Sequence, residues 1–114
     1  MTVYVYQTFQ IKQENFKEGM KNLHHMKNYR NKHYNHMVEL LTPLTGQDHT
    51  YALLAKYQGL AEMELQNKKM FDDEKYVELV GNFFLKHIVQ GSMSTQFYRV
   101  TEEDKSKNEE EDDE

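Results

Sequence analysis

Val3-Tyr-Val-Tyr-Gln-Thr-Phe-Gln-Ile11 is the stretch from which the fold is read. Aromatic and β-branched residues dominate it, as a strand prefers. Alternation places Val3, Val5, Phe9 and Ile11 on one face and Tyr4, Tyr6, Thr8 and Gln10 on the other. Large apolar groups therefore stand on both faces. An antiparallel sheet with one wet face alternates apolar with polar instead. The doubling recurs twice further on. Leu53 and Ala55 oppose Ala52 and Leu54, and Phe97 opposes Tyr98 and Val100.

Working outward, Gln13-Glu14-Asn15 breaks the first strand, and Asn15 with Glu18 three residues later reads as an N-cap of box type. A helix over 16–32 follows, with Phe16, Met20 and Leu23 at helical spacing. Gly19 sits at the edge of that stripe, where a close approach of the backbone to the sheet would justify its cost in a helix. Strands over 36–42 and 51–57 flank the turn-rich segment Thr42 to Asp48, which holds the only proline, Pro43. The second helical region is broken. One piece covers 60–71, Asp72-Asp73 offers a fresh cap, and a second piece covers 74–89 with Gly91 closing it. Tyr76, Leu79, Val80 and Phe83 form its stripe, His87 extends it, and Val77, Phe84 and Ile88 widen it. A strand over 93–100 ends the domain.

The order β-α-β-β-α-β predicts an α+β, ferredoxin-like fold: a four-stranded antiparallel sheet with its helices on one face. The second apolar face then needs a cover. A second copy of the sheet supplies one, so a homodimer closing toward a barrel is expected.

The 114 residues allow one domain, over 1–101. Residues 102–114 carry nine acidic groups and two lysines, which makes that tail −7 and the remainder +2. A charge run without apolar residues predicts a disordered tail, solvating or fitted to a basic groove. The body shows no phosphate-binding stripe, so nucleic acid is not an expected partner. No apolar run approaches the length of a membrane span. Met1 to Tyr6 lack the marks of a signal peptide, and a cytoplasmic protein is expected. With no cysteine there is no disulfide and no thiolate chemistry.

The segments Tyr51-Ala-Leu-Leu-Ala-Lys-Tyr57, Gly59-Leu60-Ala61-Glu62, Asp72-Asp73-Glu74-Lys75-Tyr76 and Thr95-Gln-Phe-Tyr-Arg-Val100 resemble the dimeric α+β barrel superfamily. Within it they look like NIPSNAP-like proteins and, more distantly, antibiotic-biosynthesis-monooxygenase-like domains. The likeness spans roughly residues 2 to 101 and rests on element order and rhythm, not on a catalytic signature. It implies a homodimer with a cavity between helices and sheet in each protomer. Some relatives oxidise aromatic polyketides without a prosthetic group. Others degrade haem with an Asn, a His and a Trp, a pattern this Trp-free chain does not meet.

The candidate site residues follow from position. Six histidines (His24, His25, His33, His36, His49, His87) include no i, i+4 pair, so no metal site is expected. No cofactor motif stands out either. His87 on the buried stripe is a core histidine or a pocket base, and Tyr57 is its nearest candidate partner. Lys27 and Arg30 continue the stripe of the first helix with charge. They either snorkel past the sheet edge or form the polar end of a pocket. Tyr6, Leu23 and Phe83 complete the ligand-binding candidates. Helix direction already places His87 near Phe16 and Arg30 at the far end. The function expected is binding of a small hydrophobic or aromatic molecule. The alternatives are a cofactor-independent monooxygenase-like enzyme and an interaction module that presents the acidic tail.

Overall fold

The computed structural model describes residues 1–46 and 49–101. The acidic tail and part of the 42–48 connection lie outside the described residues. Four strands, β1 (Val3–Gln10), β2 (Met37–Leu41), β3 (Thr50–Tyr57) and β4 (Ser94–Arg99), form one antiparallel sheet in the order β2-β3-β1-β4. Three helices, α1 (Phe16–His33), α2 (Leu60–Phe71) and α3 (Glu74–Lys86), complete the ferredoxin-like arrangement. None of these helices is long and apolar enough to cross a membrane.

Register fixes the two faces. Val3 opposes Tyr57, Val5 opposes Ala55 and Phe97, and Gln7 opposes Leu53 and Thr95. That set, with Phe9 and with Val38 and Leu40 of β2, faces the helices. Tyr4, Tyr6, Leu54 and Tyr98 face the other way. Burial follows the helices: Val3, Phe9, Leu23, Val38, Leu53, Tyr57 and Phe83 are core. Phe9 and Phe83 meet edge to face, centroids 5.6 Å apart, joining β1 to α3.

Polar side chains tie the layers together. The amide of Asn31 in α1 brackets Val38, donating to its carbonyl at 2.9 Å and accepting from its N–H at 2.7 Å. It thus stands in for a neighbouring strand along the edge of β2. Gln66 of α2 is fully buried; its Oε1 accepts from Asn35 N–H, and its Nε2 donates to Glu62. Between α1 and α3, Asn22 donates to the Leu79 carbonyl at 3.1 Å and accepts from Asn82.

The helix break falls at the two aspartates. Asp73 is the N-cap of α3, its carboxylate accepting from Lys75 N–H and Tyr76 N–H. The same carboxylate accepts from the Tyr29 and Tyr34 hydroxyls, at the end of α1. The Tyr34 hydroxyl bond, more than any other contact, holds the Asp73 carboxyl below its ordinary pKa.

Most boundaries fall within one residue of expectation, and three local features differ. Asn15 does not cap α1 through its side chain: it adopts the left-handed conformation (φ 58°) and makes no capping bond, so Glu18 completes no box. The helix enters instead through a backbone turn, Phe16 N–H to the Gln13 carbonyl. The last helix stops at Lys86, not 89, because Ile88 bridges to Ile11 and Val89 N–H bonds to the Gln10 carbonyl. Those residues extend the end of β1. Gly91, at φ 83°, serves the turn into β4 and does not close the helix.

Asp73 thus caps one helix and anchors another. Asp73→Ala should lower the melting temperature by about 5 °C or more, whereas Asp73→Asn, which can still cap, should lose less. Thermal unfolding followed by circular dichroism checks this; equal losses would show that capping contributes nothing.

Candidate functional site

The helices cover the sheet unevenly. α1 lies against β2 and against α3, while every residue of the edge strand β4 is exposed. Between that uncovered part of the sheet and α2–α3 lies an open cavity of about 510 Å³. That volume suits a small organic molecule. Its floor is the helix-facing side of β1 and β4: Val5, Gln7, Phe9, Thr95 and Phe97. Met63 and Met70 of α2 and Val80, Phe83 and Phe84 of α3 form its roof. Two features of the sequence mark this space. Gln7 is a polar residue on the apolar side of β1, and its amide donates to the Thr95 hydroxyl at 3.2 Å. Gly81, inside α3, lines the cavity, and a Cβ added there would meet nothing within 4 Å.

The polar end lies beside Val3, where Tyr57 of β3 meets the last turn of α1. Arg30 is 6% exposed and is the only charged residue lining the cavity among the described residues. Its Nε donates to His36 Nε2 at 3.0 Å, and its Nη2 donates to the Tyr57 hydroxyl at 3.0 Å. Tyr76 of α3 also lines the cavity, within reach of the guanidinium's charge. His36 stacks on Tyr57, ring centroids 4.6 Å apart. No carboxylate among the described residues pairs with Arg30. Asp73 is engaged by Tyr29, Tyr34 and the α3 cap, and Glu62 by Gln66.

The electrostatics follow from that burial. An arginine stays protonated in a protein. Burial, followed by the charge of Arg30, lowers His36 to about 4, so the imidazole is neutral and accepts from Arg30. Its Nδ1 then carries the proton and has no partner. Burial raises Tyr57 and Tyr76, outweighing the opposite pull of Arg30, and both stay phenols. The guanidinium is hydrogen-bonded by neutral groups, and no charge among the described residues compensates it. An uncompensated buried charge costs several kcal/mol even after relaxation.

Of the residues singled out from the sequence, Arg30, Tyr57 and Phe83 come together here. The others do not line the cavity. Tyr6 is on the opposite face of the sheet with Tyr4, Leu54 and Tyr98. Leu23 is sealed in the core, and Lys27 is half-buried on α1 outside the lining. His87 lies past the Phe9–Phe83 pair, beneath the first turns of α1. A Cβ on Gly19 would come within 3.2 Å of its Nδ1. It also ends α3, its N–H bonded to the Phe83 carbonyl and its carbonyl to Lys12 N–H. Tyr57 and His87 are therefore at opposite ends of α1 and form no pair. Arg30 does not snorkel past the sheet edge: two hydrogen bonds hold it inside. His36 and Tyr76 complete the polar end, though sequence reasoning gave His36 only a weighing as a metal ligand and Tyr76 only a place on an apolar stripe. His33 lies against Tyr29, ring centroids 4.1 Å apart and the planes tilted by 30°.

Comparison with known proteins fits this geometry. No protein-family model matches the sequence, and no curated protein is similar to it. Solved structures do share the fold. An uncharacterised NIPSNAP domain protein from Burkholderia xenovorans superposes with a TM-score of 0.71 at 13% identity, covering 88% of this chain and 94% of its own. A putative antibiotic biosynthesis monooxygenase from Caulobacter crescentus gives 0.71 at 10% identity, covering 87% and 89%. A cofactor-independent oxygenase from Streptomyces nogalater gives 0.66 at 8% identity, covering 87% and 92%. The chain thus has the α+β fold that NIPSNAP and antibiotic-biosynthesis-monooxygenase-like proteins share, as its element order implied. At these identities the likeness concerns the fold.

The neutral His36 gives a pH signature. Its folded pKa is near 4 against 6.5 for the free side chain. The stability tied to its neutral form is present above pH 6.5 and is lost as pH falls toward 4. Urea unfolding at pH 7.5 and pH 4.5 should show His36→Gln losing less stability than the wild type, by on the order of 2 kcal/mol. Parallel losses would refute the buried neutral imidazole.

Proposed function

We propose that the protein is a homodimer that binds a small hydrophobic or aromatic molecule in the cavity between helices and sheet. The observation that carries this reading is the cavity itself. It has apolar walls, a volume of about 510 Å³, and polar groups gathered at one end around Arg30 and Tyr57. Apolar walls supply affinity and a few fixed polar groups supply orientation. Its rim is apolar and open: Phe97 is 59% exposed and Phe71 81%. Two proteins of the same fold are named as oxygenases, which accords with a small organic ligand. The pairing of Tyr57 with His87, on which the catalytic reading of this chain rested, has no support in the geometry.

The dimer rests on the other face. Tyr4, Tyr6, Leu54 and Tyr98 form a shallow apolar concavity there, and Met37 and Leu41 of β2 are exposed on the same face, on either side of Glu39. A contiguous apolar patch of this kind marks an association surface. A second sheet packed against it would cover both copies at once through a two-fold axis.

Two measurements test the parts separately. Native mass spectrometry of the untagged protein should show a species at twice 13.7 kDa, and Leu54→Glu should weaken that dimer by about 100-fold or more. A wild-type monomer at micromolar concentration would refute the dimer. Nile red should bind with enhanced fluorescence, and Gly81→Leu, which fills open space in the cavity, should reduce that binding about tenfold. Dye binding that ignores the substitution would refute the cavity.

A further inference from the structure

The cavity ends on a buried cation that no carboxylate among the described residues pairs with, and this points to a class of ligand, given the binding reading above. Arg30 has five N–H donors and no acceptor. The Tyr57 oxygen accepts from Arg30 Nη2, so its own proton must go elsewhere, and no acceptor for it stands among the described residues. The Tyr76 hydroxyl, also in the lining, likewise meets no carboxylate or carbonyl among the described residues. The His36 Nδ1 proton, one layer back, is buried without a partner. Buried donors in proteins are otherwise almost always satisfied.

A purely structural clamp does not account for this arrangement. Tying α1 to β3 requires one hydrogen bond, which a neutral amide supplies, as Asn31 does for β2 and Gln66 for the α1–β2 connection. A guanidinium adds a charge that must be desolvated, and no carboxylate among the described residues stands beside it. The space next to that charge is open cavity.

We propose that the cavity takes an apolar carboxylic acid, its carboxylate seated on Arg30 between the Tyr57 and Tyr76 hydroxyls and its body against Val80, Phe83 and Phe97. A carboxylate offers about four lone-pair sites and accepts from a guanidinium and from hydroxyls together. It brings one negative charge to the one positive charge of the lining. A phosphate dianion would bring a second charge that nothing in the described lining balances. The floor and roof beyond the polar end are apolar apart from Asn67 of α2 and the Gln7–Thr95 pair, so the rest of the acid is aromatic or aliphatic.

The test uses one fluorescent body with two heads: anthracene-2-carboxylate and its methyl ester, titrated into the full chain by fluorescence anisotropy. The wild type should bind the acid at least about tenfold more tightly than the ester, a margin expected of a charge-assisted bond in a buried site. Arg30→Gln should abolish that preference by weakening the acid and leaving the ester unchanged. Tyr57→Phe should weaken the acid a few-fold while circular dichroism reports an intact fold. The wild-type ratio needs no variant, so an unstable Arg30→Gln protein leaves the test standing. Equal binding of acid and ester would overturn the proposal and keep the cavity. Binding of neither, with Nile red bound, would also overturn it, since this body was chosen to fit the lining. Binding of neither probe nor dye would overturn the cavity reading as well.

Discussion

A guanidinium cannot discard its proton, and the last turn of α1 carries one into the interior. That single constraint organises one end of the molecule. Arg30 needs acceptors, and the chain supplies a histidine just before β2 and a tyrosine of β3. Each acceptor is altered in turn. His36 is kept neutral, partly by burial and partly by the positive charge it faces. Tyr57 must direct its own proton away from a group that only donates. Outside this ring a second one forms around Asp73, where the Tyr29 and Tyr34 hydroxyls both end. The Asp73 carboxylate is thereby committed to the cap of α3. Charge and countercharge are held on separate hydrogen-bond networks, with aromatic rings between them: Tyr29 stacks on Tyr76 and Tyr34 on His36.

The cavity is a consequence of layer geometry. Helices cover a sheet only as far as their own width reaches. Here α1 covers the β2–β3 side and holds α3 beside it through Asn22. β4 stays outside that cover, and the break at Asp72–Asp73 lets α2 and α3 stand over the gap as a roof that does not fill it. A continuous helix could not do this, since its apolar stripe would follow one straight line across the sheet. The break that looks like an interruption in the sequence is what holds the roof off the floor.

The elements were legible in the sequence because each rests on a local pattern: alternation in Val3–Ile11, helical spacing in Phe16–Leu23, and aspartates in front of Glu74. The errors arose where nonlocal bonds overrode such patterns. Ile88 and Val89 continue an apolar helix stripe, yet they pair with the end of β1, because a strand edge satisfies their backbone as well as another helical turn would. Asn15 is a good cap by type, but the chain needed a left-handed residue there to turn from β1 into α1, a conformation Asn tolerates. The site was half legible. Arg30 on a buried stripe was a visible anomaly. His36 and Tyr76 were not, because nothing in residue spacing tells that a histidine before β2 and a tyrosine after the helix break will converge on the same guanidinium. Gln7 was the overlooked signal: a polar residue on the inward side of a strand marks a place where the core is not filled.

The two ends of α1 show why packing and function separate in this fold. At its start a glycine lets the helix settle onto Ile11 and His87, with no room left for a Cβ at ordinary contact distance. A histidine held that closely, with its Nδ1 unpartnered, has no path to a ligand, and its work is to end α3 and seat α1. At the other end the contact is looser. The helix reaches the sheet through a long side chain, and beside that side chain lies open space. Gly19 seats the start of α1 on Ile11 and His87, and two hydrogen bonds hold the Arg30 guanidinium against Tyr57 and His36. A preorganised charge of this kind does not have to move when a ligand arrives, and it loses little conformational freedom on binding. The helix is therefore anchored where it is full and available where it is not, and both properties follow from the residues at positions 19 and 30.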